Sequence, residues 1–234
     1  MDATQSLKAS DVGFRLSPAR RLLMLGLNYL PLLHVLACAA AVGIAWGPLP
    51  WRVGGAVALL YLAPALAARI LLALAPVTEG RIRVGTAAFF TWWALANLQM
   101  LFSRLPMLEE FLRLVPGLYS FWLRLWGARI GRLTYWGAGL RILDRSFLQI
   151  GDDVIFGAAV RLNPHVLARN EQGEMELVLA TIVIGDRSMV GGYSLLTAGS
   201  ELAAGECTRA FLVSPPFSRW EQGKRLAKGN GCAP

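Results

Sequence analysis

The 234-residue chain holds two histidines, His34 and His165, and the second stands among groups that could work with it. Asn163 and Pro164 precede it, and Glu171, Glu174 and Glu176 follow within a dozen residues. An imidazole titrates near neutrality, so it can take a proton from a hydroxyl or amine as that group attacks an electrophilic carbon. Such a step is worth about 10²–10⁴-fold in rate. Asn163 could orient the ring or bind a substrate, and Glu171, Glu174 or Glu176 could fold back toward it. The plainer alternative makes His165 an exposed turn residue after a proline and each glutamate a solvated loop charge. Asp152 and Asp153 have the form of a carboxylate pair, yet Ile150-Gly-Asp recurs as Ile184-Gly-Asp, and an aspartate at a repeated corner caps the turn. Gly191 and Gly192 fit either an ordinary tight corner or the close approach of a ligand. Cys38, Cys207 and Cys232 show neither C-x-x-C spacing nor an even count, so no metal site and no disulfide framework is expected.

These residues belong to a region with a period of six. Units beginning at Ile130, Trp136 and Ile142 make one three-sided coil, and units beginning at Ile150, Phe156 and Leu162 make a second. After a break from Ala168 to Val183 the period returns at Ile184, Val190, Leu196 and Leu202. Each short strand sends its first residue inward, the following residue, often glycine, turns the corner, and the fifth position carries a small or β-branched side chain that fits a narrow prism. Stacked coils bury a continuous core that one coil could not. A β-helix domain over 127–207 is therefore expected, with Pro215-Pro216 ending regular structure, a tail over 208–234 and a loose end from Gly229.

The region that must carry this prism differs sharply. Hydrophobic residues make up 55% of the chain and charged residues 16%, beyond the usual share of a soluble domain. Apolar runs over 22–46, 53–75 and 84–102 predict three membrane-embedded helices, the first two as a hairpin. Phe89, Phe90, Trp92 and Trp93 in the third suit an interfacial belt or lipid-facing surface. Residues 107–126 are amphipathic and broken at Pro116, which suggests helices lying at the interface or re-entering it. His34 lies within the first run, as a functional group or as an imidazole bonded to a neighbouring helix. Residues 1–126 thus form a membrane-embedded helical region.

The net charge of +8 comes from basic residues scattered beside apolar segments, which suits anionic headgroups and not a nucleic acid. Lys8, Arg15, Arg20 and Arg21 favour a cytosolic N-terminus, and the polar start with no cleavage site after the first apolar run predicts a retained segment. Three full crossings would place the repeat half outside. An even number would keep it in the cytosol.

The repeat units resemble those of the hexapeptide-repeat, left-handed β-helix acyltransferases. That resemblance implies a left-handed prism, a homotrimer, and an acyl-CoA donor bound between subunits with no tightly held cofactor. It also implies a histidine base acting without a covalent enzyme intermediate. A narrower likeness rests on Gly127-Ala-Arg-Ile-Gly-Arg132, Ile150-Gly-Asp-Asp153, His165 ahead of an irregular insertion, and the return at Ile184-Gly. Over about residues 107–206 this is similar to the membrane-anchored acetyltransferase-like domain at the end of ε-poly-lysine synthetase-type nonribosomal peptide synthetases. There an acidic Phe-Glu-Asp-Arg-like run follows the histidine, and here Val166-Leu-Ala-Arg-Asn-Glu171 takes its place. On this basis Gly191 and Gly192 could lie along a pantetheine arm, and Arg209, Arg219, Lys224 and Arg225 could meet coenzyme A phosphates or anionic lipid.

The expectation is an integral-membrane acyltransferase of a bacterial inner or plasma membrane, its β-helix facing the cytoplasm. It would move an acyl group from a coenzyme A or carrier-protein thioester to a hydroxyl or amine of a small-molecule or lipid acceptor near the bilayer. A non-catalytic oligomeric scaffold is the competing reading, since fold alone does not fix function.

Overall fold

The computed structural model describes residues 16–227. Lys8 and Arg15 of the expected cytosolic start, Cys232, and the end expected to be loose from Gly229 lie outside the described residues.

Ser17 caps the first helix, α1 (Pro18–Leu27), by accepting from the Arg20 amide, with Pro18 in the first turn. The helix breaks at Asn28–Tyr29 and resumes as α2 (Leu30–Gly43), because Pro31 has no amide to donate to the preceding turn. A turn through Gly47, at φ 108°, leads into α3 (Leu49–Leu74), which packs back along α2. Two stretches, Pro18–Gly43 and Leu49–Leu74, are long and apolar enough to cross a membrane. Their side chains remain largely uncovered, including Leu22, Leu33, Trp51, Leu66 and Ile70. His34 bonds through Nε2 to the Leu59 carbonyl of α3 at 3.2 Å, as a helix-packing group.

The expected third span is a core helix instead. Helix α4 (Ala87–Arg104) buries Phe89, Trp92, Leu95 and Phe102 together with the polar Asn97 and Gln99, and it is not among the stretches that meet the length and apolarity of a span. Its aromatic cluster faces protein, so the interfacial belt expected there is not formed by Phe89 or Trp92. The reason is the repeat half, which offers α4 a surface that hydropathy cannot register. Helices α5 (Met107–Arg113) and α6 (Leu118–Leu125) flank the break near Pro116 and bury Leu112, Tyr119, Trp122 and Leu123. Phe111, Leu114, Val115 and Phe121 stay exposed on their other side.

The repeats form a parallel β-helix. Its first face stacks β2 (Arg129–Ile130), β4 (Leu148–Ile150), β9 (Ile182–Ile184), β12 (Glu201–Leu202) and β14 (Ser218–Glu221). A second holds β5 (Ile155–Phe156) and β10 (Met189–Val190), extended by bridges from Tyr135 and Cys207. The third stacks β3 (Arg141–Ile142), β6 (Arg161–Asn163), β11 (Leu195–Thr197) and β13 (Val213–Ser214). Ile142, Leu162 and Leu196 align in one buried column, and each such side chain contributes about 1.5–3 kcal/mol by leaving water. Inside the prism Ser188 and Ser200 are buried at the fifth position and satisfied by the Ala203 carbonyl and the Ser214 hydroxyl. Corner aspartates tie the coils together: Asp152 Oδ1 accepts from the Arg132 amide at 2.7 Å, and Asp186 Oδ1 from the Asp152 amide at 2.8 Å.

The repeat does not stop at residue 207. Residues 208–217 turn a further coil in which Pro215-Pro216 sits at a corner, β14 completes the ladder, and β15 (Lys224–Ala227) folds back antiparallel on it. Sequence spacing missed this coil because Ser214 and Trp220 replace the expected aliphatic residue at the inward positions. The break after the second coil is also ordered. Strands β7 (His165–Arg169) and β8 (Met175–Leu179) form a hairpin whose second strand, β8, also pairs antiparallel with β1 (Gly80–Arg83) from the helical half.

Candidate active site

His165 owes its position to the point where a coil is interrupted. Strand β6 ends at Asn163, the Pro164 carbonyl accepts from the Ala180 amide at 3.0 Å, and the chain leaves the prism at His165, which pairs with Leu179. The β3–β6 register aligns Ile142 with Leu162, so the same corner one coil earlier is occupied by Leu143 and Asp144. The Asp144 carboxylate is buried, and its Oδ2 meets Nδ1 of His165 in a short contact. Asp144 Oδ1 accepts from the Trp92 indole N–H at 3.0 Å, and the Trp92 ring stands edge-on to the imidazole with centroids 4.9 Å apart.

Asp144 thus holds the ring by one nitrogen, and Nε2 has no hydrogen bond to protein among the described residues. Burial opposes the charged imidazolium, but the Asp144 carboxylate outweighs it by charge and hydrogen bonding, and the His165 pKa stands above its ordinary value. The next residue fixes the corner from below. Arg145 is 1% exposed; its amide donates to Gln99 Oε1 at 2.8 Å, and its guanidinium pairs with Glu109 beneath the faces of Phe102, Trp122 and Trp126.

His165 and Asp144 open onto a cavity of about 390 Å³ whose far wall is helical. Trp93, Asn97, Met100 and Arg104 of α4 line it, as does Asn28 at the break between α1 and α2. Asn28 Oδ1 accepts from the Trp93 indole at 2.9 Å and lies 3.4 Å from Asn97 Nδ2, which ties the first apolar segment to the site. A second cavity of about 140 Å³ shares Ser103 and Leu143 with the first and is also lined by Asn163.

The other sequence-predicted residues are dispersed. Glu171 lies in the β7–β8 turn, Glu174 faces Arg83 at 3.6 Å, and Glu176 pairs with Arg81, so the carboxylate on the ring is none of these. Gly191 is required by coil stacking, since a Cβ there would come within 2.4 Å of the Ala210 amide and the Arg209 carbonyl, and Gly192 lies against Ala158. Both glycines are therefore accounted for by packing. Arg219 pairs with Glu221 at 3.2 Å, and Lys224, Arg225 and Arg209 are exposed on the last turns of the prism. Asp144 and Trp92 escaped the sequence reading. The twenty-residue offset from Ile142 to Leu162 was the signal that places Asp144 under Pro164 and beside His165.

No protein-family profile and no curated protein matches the chain. Among solved structures, a hexapeptide-repeat-containing acetyltransferase of Vibrio cholerae O1 biovar eltor, complexed with acetyl coenzyme A, is 18% identical with a TM-score of 0.39. That match covers 56% of this chain and 88% of the other. A maltose O-acetyltransferase of Clostridium difficile 630 is 14% identical with a TM-score of 0.35, over 55% and 87%. Serine acetyltransferase isoform 3 of Entamoeba histolytica, in complex with cysteine, is 12% identical with a TM-score of 0.29, over 90% and 73%.

Proposed function

We propose that the protein is a membrane-bound acyltransferase in which His165, oriented by Asp144, is the general base. The observation that carries this reading is the Asp144–His165 pair opening onto a cavity bounded on one side by the prism and on the other by α4 and the break in the first apolar segment. In the step we envisage, Nε2 takes the proton of an acceptor hydroxyl or amine while its oxygen or nitrogen attacks the thioester carbonyl. The tetrahedral adduct then expels the thiolate, which receives the proton, and an ester or amide and a free thiol are left. Donor and acceptor meet directly, so no covalent enzyme intermediate is needed. Coenzyme A or a carrier protein would supply the thioester.

Two stretches able to cross a membrane would give an even count, which would put both ends of the helical hairpin on the prism's side, and Arg20 and Arg21 favour the cytosolic face. The exposed apolar side chains of α5 and α6 would rest against the same bilayer. A homotrimer with left-handed coils follows from the sequence resemblance. The uncovered row Tyr135, Ile155 and Met189 on the second face of the prism is suited to bury against another copy.

The test is transfer from radiolabelled acyl-CoA to components of a membrane extract by the purified full-length protein and by its His165→Ala variant. Label transferred by the wild type and lost in the variant is the expected result. Equal transfer by both removes His165 as the base, and no transfer from coenzyme A or carrier-protein thioesters leaves the prism as a scaffold.

A further inference from the structure

We propose that Arg141 and Arg161 form an anion subsite that grips a phosphate group of one substrate, apart from the reacting atoms. Arg141 and Arg161 are directly paired in register on adjacent parallel strands, where neighbouring chains lie about 4.8 Å apart. Both are exposed and line the second cavity. Among the described residues neither side chain has a hydrogen bond or an ion pair with protein. The acid beside them, Glu109, is already taken by Arg113, Arg145 and Tyr119, and Glu110 by Arg113 and the Gly139 amide. Like charges placed side by side repel, and a ligand with two or more anionic oxygens relieves that repulsion while accepting from both guanidinium forks.

The position of the subsite gives it a role. The two cavities share Ser103 and Leu143 in their walls, and Arg161 lies four residues before His165, at most about 14 Å away along an extended chain. A substrate held by its phosphate at the arginines would therefore reach the dyad through an arm of about that length or less. The assignment rests on the reading of His165 as the reacting end only for that direction. A phosphate so placed could belong to the thioester donor or to a phospholipid-like acceptor, and the chemistry recognised is the same.

Binding distinguishes the sources. Full-length protein in neutral phosphatidylcholine nanodiscs would be titrated with coenzyme A, with phosphate-free pantetheine, and with soluble dihexanoyl phosphatidylglycerol, for wild type, Arg141→Gln, Arg161→Gln and the double variant. If the donor supplies the phosphate, coenzyme A binding weakens about tenfold for each substitution and about a hundredfold for both, and pantetheine binding is unmoved. If the acceptor supplies it, coenzyme A binding is unchanged and the phosphatidylglycerol affinity falls by the same factors. Unchanged binding of both phosphate probes, or no binding of either to the wild type, overturns the subsite. His165→Ala serves as the separating control, because it should bind the phosphate probe like the wild type while losing transfer. Wild-type transfer by that variant, with phosphate binding lost in the arginine variants, would reject the catalytic reading and leave the subsite standing.

Discussion

Asp144 and Arg145 are neighbours in sequence, both buried, and each pairs with an opposite charge, yet the two clusters they enter differ in kind. Arg145 belongs to a closed network with Glu109, Arg113, Gln99 and Tyr119, in which both carboxylate oxygens of Glu109 are engaged. Burial, and then the Glu109 charge, push the Tyr119 hydroxyl far above its usual range, so it remains a donor. Asp144 joins a histidine whose second nitrogen is left for a cavity. A buried charge cluster, complete save for Arg113 Nε, anchors α4 and α5 to the first coil, whereas a pair at the same corner with one imidazole nitrogen unbonded can exchange a proton. What separates structural from chemical charge here is the unfilled valence at the cavity wall.

That distinction can be broken experimentally. Substituting His165 by Ala should lower the acyl-transfer rate by about 10²–10⁴-fold while circular dichroism and the thermal midpoint stay near those of the wild type. A matching loss of folding would show that the pair is structural after all. Glu109→Ala should do the reverse. Leaving Arg145 and Arg113 buried without their partner destabilises by about 3–5 kcal/mol, read as a lowered unfolding midpoint, and a variant as stable as the wild type would mean that the network anchors nothing.

Asp144→Asn removes the charge that raises His165. Transfer at neutral pH should fall by an intermediate factor of about ten or more, with the acid limb of the pH profile displaced to lower pH. The unmutated protein offers the finest separation by pH. Because His165 is raised, the ion pair's contribution to stability is fully present below the ordinary histidine value near 6.5 and is lost as pH rises through the raised value. Activity that needs the neutral imidazole must grow over that same interval. Profiles of kcat/KM and of the thermal midpoint that move in the same direction there would sink the assignment. Glu174→Gln, which removes the charge from exposed contacts with Arg83 and Asn170, should change stability by about 0.5 kcal/mol or less and leave transfer untouched.

Much of this architecture is legible as spacing. A six-residue repeat buries one column per face, so Ile130, Ile150, Ile184 and Leu202 announce the prism without reference to anything distant. The two long apolar runs announce themselves in the same way. The period failed at the last coil, where Ser214 and Trp220 fill the inward positions, since whether a serine is satisfied and an indole anchored there depends on partners that coil stacking brings up, Ser200 for Ser214 and Ser214 for Trp220. Hydropathy failed at α4 for a related reason: it measures how apolar a segment is and not whether lipid or protein covers it.

His165 was nameable from chemical type and from its place before the break, because an imidazole at the end of a regular coil has few local roles. Its partner was not, although the register held the answer. Carboxylates near in sequence drew attention, while Asp144, twenty-one positions earlier, lay beside the ring through coil stacking. Trp92 and Asn28 come from helices whose own patterns speak only of burial. Local periodicity determines which side chains face inward, since that depends on backbone geometry repeated residue by residue. Which charge meets which, and which nitrogen is left for a cavity, depends on how separate elements dock. Only the tertiary structure brings Asp144, His165, Trp92 and the first apolar segment together.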